Sequence, residues 1–364
     1  MKITKIDVKP VRMPMRTFTD AYASYSSGEF ALVTIETDAG VTGYGECPST
    51  VIVGFYGETL ETVVAAVKSL VPVLIGEDPM NIGMLVSKMN LARGDSFIAK
   101  TGVNLALYDL VGKALRIPAS TLLGGRRRDR IRAASEIGIT SAEKMVAEAR
   151  RLVDLGFRVI KLKAGKDMKE EMKGLKGIRD ALGSEVELRV DPNAGWSRID
   201  TLDAAKVMAR CEVSYLEQPL PGWDLEGLSM IKKKTEIPIM VDESVWNPHD
   251  VVSVAKAEAA DLINIKITKT GGLTTALEVY NTAKAFGIPC VIGTELESCM
   301  ALGAKLQIGS ALEDLPYACE YTELAFQRIL VNEQVKLRQG YLDVPKADGL
   351  GLSPRLDSVP RLKS

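Results

Sequence analysis

Histidine is almost missing from this chain: among 364 residues only His249 occurs. That removes a histidine-rich zinc site and any mechanism built on two histidines. His249 stands where a helix is expected to start, in Trp246–Ala257, and reads as a surface or capping residue. Acid-base chemistry then falls to Lys, Asp, Glu or Tyr. Cysteine is sparse too. Cys47, Cys211, Cys290, Cys299 and Cys319 stand alone, with no CxxC pair, which excludes a disulfide framework and a structural zinc site as readings. No stretch approaches the roughly 18 uncharged apolar residues of a membrane span, and Met1–Pro14 lacks the apolar run of a secretory signal. The expectation is a reduced, cytoplasmic protein. Neither sign of charge dominates, with 46 Lys+Arg against 47 Asp+Glu, so there is no electrostatic footprint for nucleic acid or an anionic membrane. With 46% apolar and 26% charged residues, the composition is that of a globular protein, large enough to bury a core without staples.

Two parts read differently. Up to about residue 125, a strand pattern over Met1–Met13 and a hairpin of Phe30–Thr37 and Val41–Glu46 precede helical spacing near Thr59–Leu74, Asn81–Leu91 and Ala99–Leu115. Strands followed by helices suggest an α+β domain over 1–125. Arg126, Arg127 and Arg128 read as a solvated linker or barrel-floor surface. From about Ile131, β-rich runs alternate with amphipathic helices. The strand candidates are Ala133–Ile139, Arg158–Lys163, Val186–Asp191, Val213–Glu217, Ile237–Asp242, Leu262–Lys266, Pro289–Gly293 and Tyr317–Glu320. Eight such strands predict an α/β fold, a parallel (β/α)8 barrel, over residues 126–320. The remaining 321–364 form a C-terminal segment.

The strand ends carry the chemistry. Strands two to six end in Lys163, Asp191, Glu217, Asp242 and Lys266, at intervals of 28, 26, 25 and 24 residues. Active sites of such barrels sit at the carboxyl ends of the strands, so five ionisable groups converge on one mouth. Asp191, Glu217 and Asp242 are hard oxygen ligands that repel one another unless a cation separates them, which favours Mg2+, or Mn2+, over zinc. Lys163 and Lys266 come from facing strands, and Lys161 shares the side of Lys163 by period two. Lysine–lysine repulsion and a nearby dication predict a lowered amine pKa, suited to a general base. The chemistry suggested is abstraction of the proton α to a carboxylate, with the resulting enediolate stabilised by the metal.

As a set, Lys161-Leu162-Lys163, Asp191-Pro192-Asn193, Glu217-Gln218-Pro219, Asp242-Glu243-Ser244 and Lys266-Ile267-Thr268-Lys269-Thr270-Gly271-Gly272 resemble the motifs of the enolase superfamily, specifically its muconate lactonizing enzyme subgroup, over nearly the whole chain. The resemblance implies an N-terminal capping domain closed over the barrel, with the C-terminal segment packed back on it. It implies Mg2+ on Asp191, Glu217 and Asp242, acid/base roles for Lys163 and Lys266, and Lys161 as an auxiliary that contacts the substrate carboxylate. Lys269 reads as peripheral, and Asn193 and Glu243 as supporting residues. The mandelate racemase subgroup uses a histidine after strand seven, where this chain has Gly293-Thr294-Glu295.

The resemblance also implies two capping loops over the substrate. Here they are Thr17–Glu29, with Tyr22, Tyr25 and Ser26, and Cys47–Glu58, with Val53, Phe55 and Tyr56. Strands seven and eight would add Glu295, Glu297, Ser298, Cys319, Glu320 and Tyr321. Dipeptide epimerases of the subgroup carry Asp-x-Asp at the end of strand eight, and this chain has Cys319-Glu320-Tyr321 instead. Glu320 could still face a cationic nitrogen. The expectation is an isomerase that racemises or epimerises an N-substituted amino acid or derivative through an enediolate. Cycloisomerisation of a muconate and dehydration of a hydroxy acid or hydroxyproline are alternatives on the same site. A Schiff-base aldolase using Lys266 and a non-catalytic binding protein are the alternatives of another class. A small carboxylate substrate and a homo-oligomer are the expected partners.

Overall fold

The computed structural model describes residues 1–50, 55–298, 300–321, 331–333 and 335–355. Three antiparallel strands open the chain: β1 (Ile3–Thr19), β2 (Ser24–Thr37) and β3 (Thr42–Pro48), in that order across the sheet. Helices α1 (Leu60–Leu74), α2 (Ile82–Ala92) and α3 (Phe97–Leu115) follow where helical spacing placed them. The sheet is longer than expected. β1 pairs with β2 out to Thr19↔Ser24, so most of the expected loop Thr17–Glu29 is strand. Asp20 makes the difference, because its Oδ1 accepts the backbone N–H groups of Tyr22 and Ala23 at 2.8 and 2.9 Å, an Asx turn that closes the hairpin. Val53, from the second expected loop, lies outside the described residues, as does Cys299.

Helix α3 is buried on every side from Ile98 to Gly112, as befits a helix with no polar face. It lies against β3 so closely that glycine is required: a Cβ on Gly45 would sit 1.9 Å from the backbone oxygen of Gly102.

After α4 (Ala119–Leu122) the barrel begins. Its strands are β4 (Arg130–Ile137), β5 (Val159–Lys163), β6 (Glu187–Asp191), β7 (Val213–Glu217), β8 (Ile239–Val241), β9 (Leu262–Ile265), β10 (Cys290–Ile292) and β11 (Cys319–Glu320). β4 to β10 pair in sequence order, all parallel, and β11 returns to pair with β4. The helices between them are α5 (Ala142–Asp154), α6 (Met168–Leu182), α7 (Arg198–Arg210), α8 (Leu225–Lys234), α9 (Pro248–Lys256), α10 (Leu273–Ala285) and α11 (Met300–Ala311). Ser141, Asp167, Ser197, Asp224 and Asn247 cap α5 to α9, each side chain accepting a first-turn N–H. His249 is exposed in the first turn of α9, and its N–H donates to Asn247.

The cap is bound to the barrel at the strand ends that matter. Buried Glu46 of β3 accepts the N–H of Ser298 at 2.8 Å and of Met300 at 3.0 Å, placing a carboxylate at the N-terminus of α11. Asn104 of α3 accepts the N–H of Leu273 at 2.8 Å, and Thr101 donates to the carbonyl of Ile267 at 3.2 Å. Gly272 has φ +122, and a Cβ there would meet Asn104 Oδ1 at 2.3 Å, so the Gly271-Gly272 pair admits this cap helix. From the C-terminal segment, β13 (Tyr341–Asp343) pairs antiparallel with β4 and with β12 (Leu337–Arg338), and Leu350 N–H donates to Asp109 of α3 at 3.0 Å.

Arg126 and Arg128 are not a solvated run. Arg126 donates to the carbonyls of Val344 and Pro345, and Arg128 to those of Gly309, Leu312 and Glu313 around the C-terminus of α11, where a cation is favoured. Among the described residues no helix is long and apolar enough to cross a membrane.

Gly45→Ala is expected to lower the unfolding free energy by about 1–3 kcal/mol or more, because backbone on both sides must move. Gly83→Ala, in α2 with nothing within 4 Å of the new Cβ, is expected to be neutral or stabilising. Urea denaturation followed by circular dichroism distinguishes the two.

Candidate active site

Period two decides what each barrel strand points inward. The floor is apolar: Ala134, Val159 and Ala318 form one buried cluster, and Tyr215, Met240, Leu262 and Val291 another. Further along the barrel strands the inward set turns polar: Glu136, Lys161, Lys163, Arg189, Asp191, Glu217, Asp242, Asn264, Lys266 and Glu320. Register brings Glu136 beside Lys161 and Lys163 beside Asp191. Asp242 and Lys266 stand one residue past their strands.

These groups form one buried ionic network. Lys163 Nζ lies 2.7 Å from Asp191 Oδ2 and 3.7 Å from Glu136. Lys161 is fully buried among carboxylates, 2.9 Å from Glu136, 3.1 Å from Glu217, 3.3 Å from Asp191, and in direct contact with Glu320. Lys266 bridges Asp242 at 2.7 Å and Glu295 at 2.8 Å. Asn264 donates to Glu217 at 2.7 Å. Gln218, at φ +30, accepts the N–H of Asp242 at 2.8 Å and ties the ends of β7 and β8 together. Such a conformation is costly for a non-glycine residue, and it persists because its surroundings fix it.

The electrostatics follow. Burial, then Asp191, and further Glu320 and Asp242, push Glu217 well above the usual carboxylate range, against the pull of Lys161. Burial alone would lower Lys161, Lys163 and Lys266, but the surrounding carboxylates outweigh it and hold all three above the ordinary lysine range. Lysine–lysine repulsion by itself therefore does not lower them: within this network lysine–carboxylate attraction exceeds it. Glu295 rises to about 7, through burial partly offset by Lys266.

Asp191, Glu217 and Asp242 suit a hard divalent cation. All three are fully buried, stand at consecutive strand ends, and have no sulfur or imidazole beside them. Both side-chain oxygens of Asp242 face ammonium groups, Oδ2 that of Lys266 at 2.7 Å and Oδ1 that of Lys269 at 2.6 Å. Among the described residues the three carboxylates turn toward lysines and do not converge on one point, so holding a cation means exchanging lysine contacts for it.

Several expected substrate residues gather above this network. Tyr22 donates to Glu243 at 3.0 Å, Asn193 donates to Glu243 at 3.2 Å, and Tyr56 donates to Glu295 at 3.0 Å. Tyr25 donates to Asp20 at 3.4 Å. Phe55 meets Tyr22, Tyr56 and Trp246 with ring centroids 4.7–5.8 Å apart, and Lys266 Nζ stands 5.0 Å from its ring centre. Phe18, Asp20, Tyr22, Phe55, Glu136, Lys163, Asn193, Lys266, Thr294, Glu295 and Leu296 enclose a cavity of about 20 Å³. That holds a water molecule, and an organic acid enters only if the cap side chains give way.

Four expected residues are occupied elsewhere. Glu320 is held by Lys161 and by Thr294 N–H at 3.0 Å, so the cationic nitrogen it meets belongs to the protein. Glu297 faces Thr294 and Lys305. Ser298 is bound to Glu46 of the cap. Tyr321 stacks on Phe157 in the hydrophobic core.

Lys269 is not peripheral. It is fully buried, 2.6 Å from Asp242 Oδ1 and 3.2 Å from the carbonyl of Asn264. Sequence reading missed Glu136, Asn264 and Asp20. Glu136 and Asn264 sit inside apolar strands at inward positions, a signal that period two carries when every inward residue is read. Asp20 shows itself only through its turn.

Residues 2–124 match the family described as mandelate racemase / muconate lactonizing enzyme, N-terminal domain, and residues 144–358 match the enolase C-terminal domain-like family. The N-succinyl-L-Arg/Lys racemase of Bacillus cereus is 33% identical over 311 residues, 85% of this chain and 84% of that protein. The crystal structure of 2-chloromuconate cycloisomerase from Rhodococcus opacus 1CP superposes with a TM-score of 0.96 at 30% identity, covering 100% of both chains. A dipeptide epimerase from Cytophaga hutchinsonii, complexed with Mg and the dipeptide D-Ala-L-Val, superposes with a TM-score of 0.94 at 27% identity, covering 99% of this chain and 98% of that one.

Lys269→Met strips Asp242 of a buried counterion and is expected to lower the unfolding free energy by about 3–5 kcal/mol. Lys206→Met, which breaks the exposed pair with Asp203, is expected to leave the urea midpoint unchanged.

Proposed function

The chain belongs to the mandelate racemase/muconate lactonizing enzyme family of the enolase superfamily, whose similar members are isomerases, and on that footing we propose that it moves the α-proton of an N-substituted amino acid or amino-acid derivative, racemising or epimerising it. One observation supports this reading most. Lys163 and Lys266 come from strands four apart in the eight-stranded order, line one cavity, and flank three buried carboxylates.

Asp191, Glu217 and Asp242 would hold Mg2+, which when bound supplies positive charge against the substrate carboxylate and the charge that develops as the proton leaves. Lys163 Nζ takes the proton from one face, and Lys266 Nζ delivers one to the other; in the reverse direction the roles exchange. An amine must be neutral to accept a proton, and Asp191 and Glu136 set how readily Lys163 becomes so. Lys161, gripped by four carboxylates, keeps a fixed positive charge that positions them. Phe18, Tyr22 and Phe55 wall the cavity with apolar surface against bulk water, so that a proton held on a lysine returns to the substrate. Cycloisomerisation of a muconate is disfavoured, because it would set a second carboxylate of the substrate in a cavity already walled by Asp20, Glu136 and Glu295.

The test is proton NMR in D2O over a panel of N-substituted amino acids, dipeptides, betaines, hydroxyprolines and muconate. Loss of the α-proton signal with Mg2+ but not with EDTA is expected, and Lys163→Ala and Lys266→Ala are each expected to lose roughly 100-fold or more in racemisation. Full turnover by Lys163→Ala, or in EDTA, overturns the reading. Borohydride trapping of a substrate on Lys266 would show imine chemistry instead.

Mg2+ at 100 times its Kd is expected to stabilise the fold by about 2.7 kcal/mol, and Asp242→Asn to abolish that gain. Glu136→Gln removes an anion that raises Lys163. Its amine then becomes neutral at lower pH, so the rising limb of kcat/KM against pH is expected to move toward acid.

A further inference from the structure

The wall of the catalytic cavity is richer in acceptors than the proposed chemistry needs. Three carboxylates line it that are not candidate metal ligands: Asp20 from the cap turn, Glu136 from β4 and Glu295 after β10. They outnumber the two lysines on the same wall. The hydroxyl donors of that wall already face carboxylates, Tyr22 on Glu243 and Thr294 on Glu297, and Asn193 gives one of its amide N–H groups to Glu243.

Asp20 is the exception that points to a ligand. It is 3% exposed. Its Oδ1 accepts from Tyr22 N–H, Ala23 N–H and Tyr25 O–H, which fixes the carboxylate. Its Oδ2 has no hydrogen-bond or ion-pair partner among the described residues, and the residue lines the cavity. The rings of Phe18, Tyr22 and Phe55 line the same cavity. Phe55 already accepts a cation on its face, the ammonium of Lys266.

An acyl carbonyl placed beside Asp20 Oδ2 would set one acceptor against another, with neither supplying a proton for a hydrogen bond. A positively charged nitrogen would meet Asp20 Oδ2 and aromatic faces, the combination that recognises alkylated ammonium groups. We infer that the substrate is a small amino-acid carboxylate with a permanently charged, N-alkylated nitrogen, a betaine, and that Asp20 together with Phe18, Tyr22 and Phe55 forms the subsite for that nitrogen. This rests on the proposed α-proton chemistry for its catalytic meaning, but the subsite is a binding claim that can be tested by itself. Asp20 is a specificity residue; it takes no part in moving the proton.

The experiment titrates the Mg2+-loaded protein by calorimetry with alanine betaine, with its uncharged tert-butyl isostere and with N-acetylalanine. Alanine betaine is expected to bind at least about 10-fold tighter than either comparator. Asp20→Asn keeps an oxygen acceptor for the turn and removes the charge. It is expected to weaken betaine binding by about 10–100-fold and to leave the two ligands without a charged nitrogen within about 2-fold. Equal or tighter binding of N-acetylalanine or the isostere, a uniform loss across all three ligands in Asp20→Asn, or no binding of betaine overturns the inference. Proton NMR in D2O on the same ligands separates the two claims. Betaine bound through Asp20 but not exchanged counts against the proton chemistry alone, and exchange of N-acetylalanine in preference to betaine counts against the subsite alone.

Discussion

The barrel mouth holds more buried carboxylate than buried lysine, and the remaining features of the site answer to that imbalance. Six carboxylates there, on Glu136, Asp191, Glu217, Asp242, Glu295 and Glu320, have side chains at most 3% exposed, and four lysines, Lys161, Lys163, Lys266 and Lys269, face them. An unpaired buried charge costs several kcal/mol, so Lys161, Lys163 and Lys266 are each shared between carboxylates, and Lys269 is held by Asp242. The surplus is felt at Glu217, the middle one of three consecutive strand ends, which burial and its carboxylate neighbours push well above the usual range, while lysines hold Asp191 and Asp242 below it. A divalent cation is the economical answer to that arrangement, and the same imbalance makes the wall of the cavity receptive to positive charge on a ligand.

Holding such a network together requires that its backbone not move. The apolar floor of the barrel fixes the strands from below, and Gln218 ties the ends of β7 and β8 together. The cap fixes them from above. Buried Glu46 is bonded to the backbone ahead of α11, and Asn104 and Thr101 are bonded to the loop that follows Lys266. The cap therefore does two jobs with different residues. Its buried polar groups anchor loops of the barrel, while Phe18, Asp20, Tyr22 and Phe55 shape the space above the lysines.

Much of this was legible because a parallel barrel repeats. A charge that ends five successive βα units is visible as spacing alone, and Lys163, Asp191, Glu217, Asp242 and Lys266 could be named from it. Glu136 and Asn264 obey the same inward alternation but lie inside strands, where no spacing between units marks them. Lys269 looked peripheral because it follows its strand by four residues; the turn after β9 brings it back onto Asp242. Ser298 and Glu320 looked available for substrate, and each is spent on a partner distant in sequence, Glu46 and Lys161.

The sequence by itself determined the architecture, the order of the ionisable strand ends and the hard-ligand character of the carboxylate set, because these depend on periodicity and residue type. Only the tertiary structure decided the charge state and commitment of each group. Whether a buried lysine is raised or lowered depends on which carboxylates lie within a few ångströms, and those come from strands tens to more than a hundred residues apart. The free oxygen of Asp20 is the same kind of fact: the four-residue turn from Asp20 to Ala23 holds one oxygen, and the closure of the cap over the barrel aims the residue into the cavity.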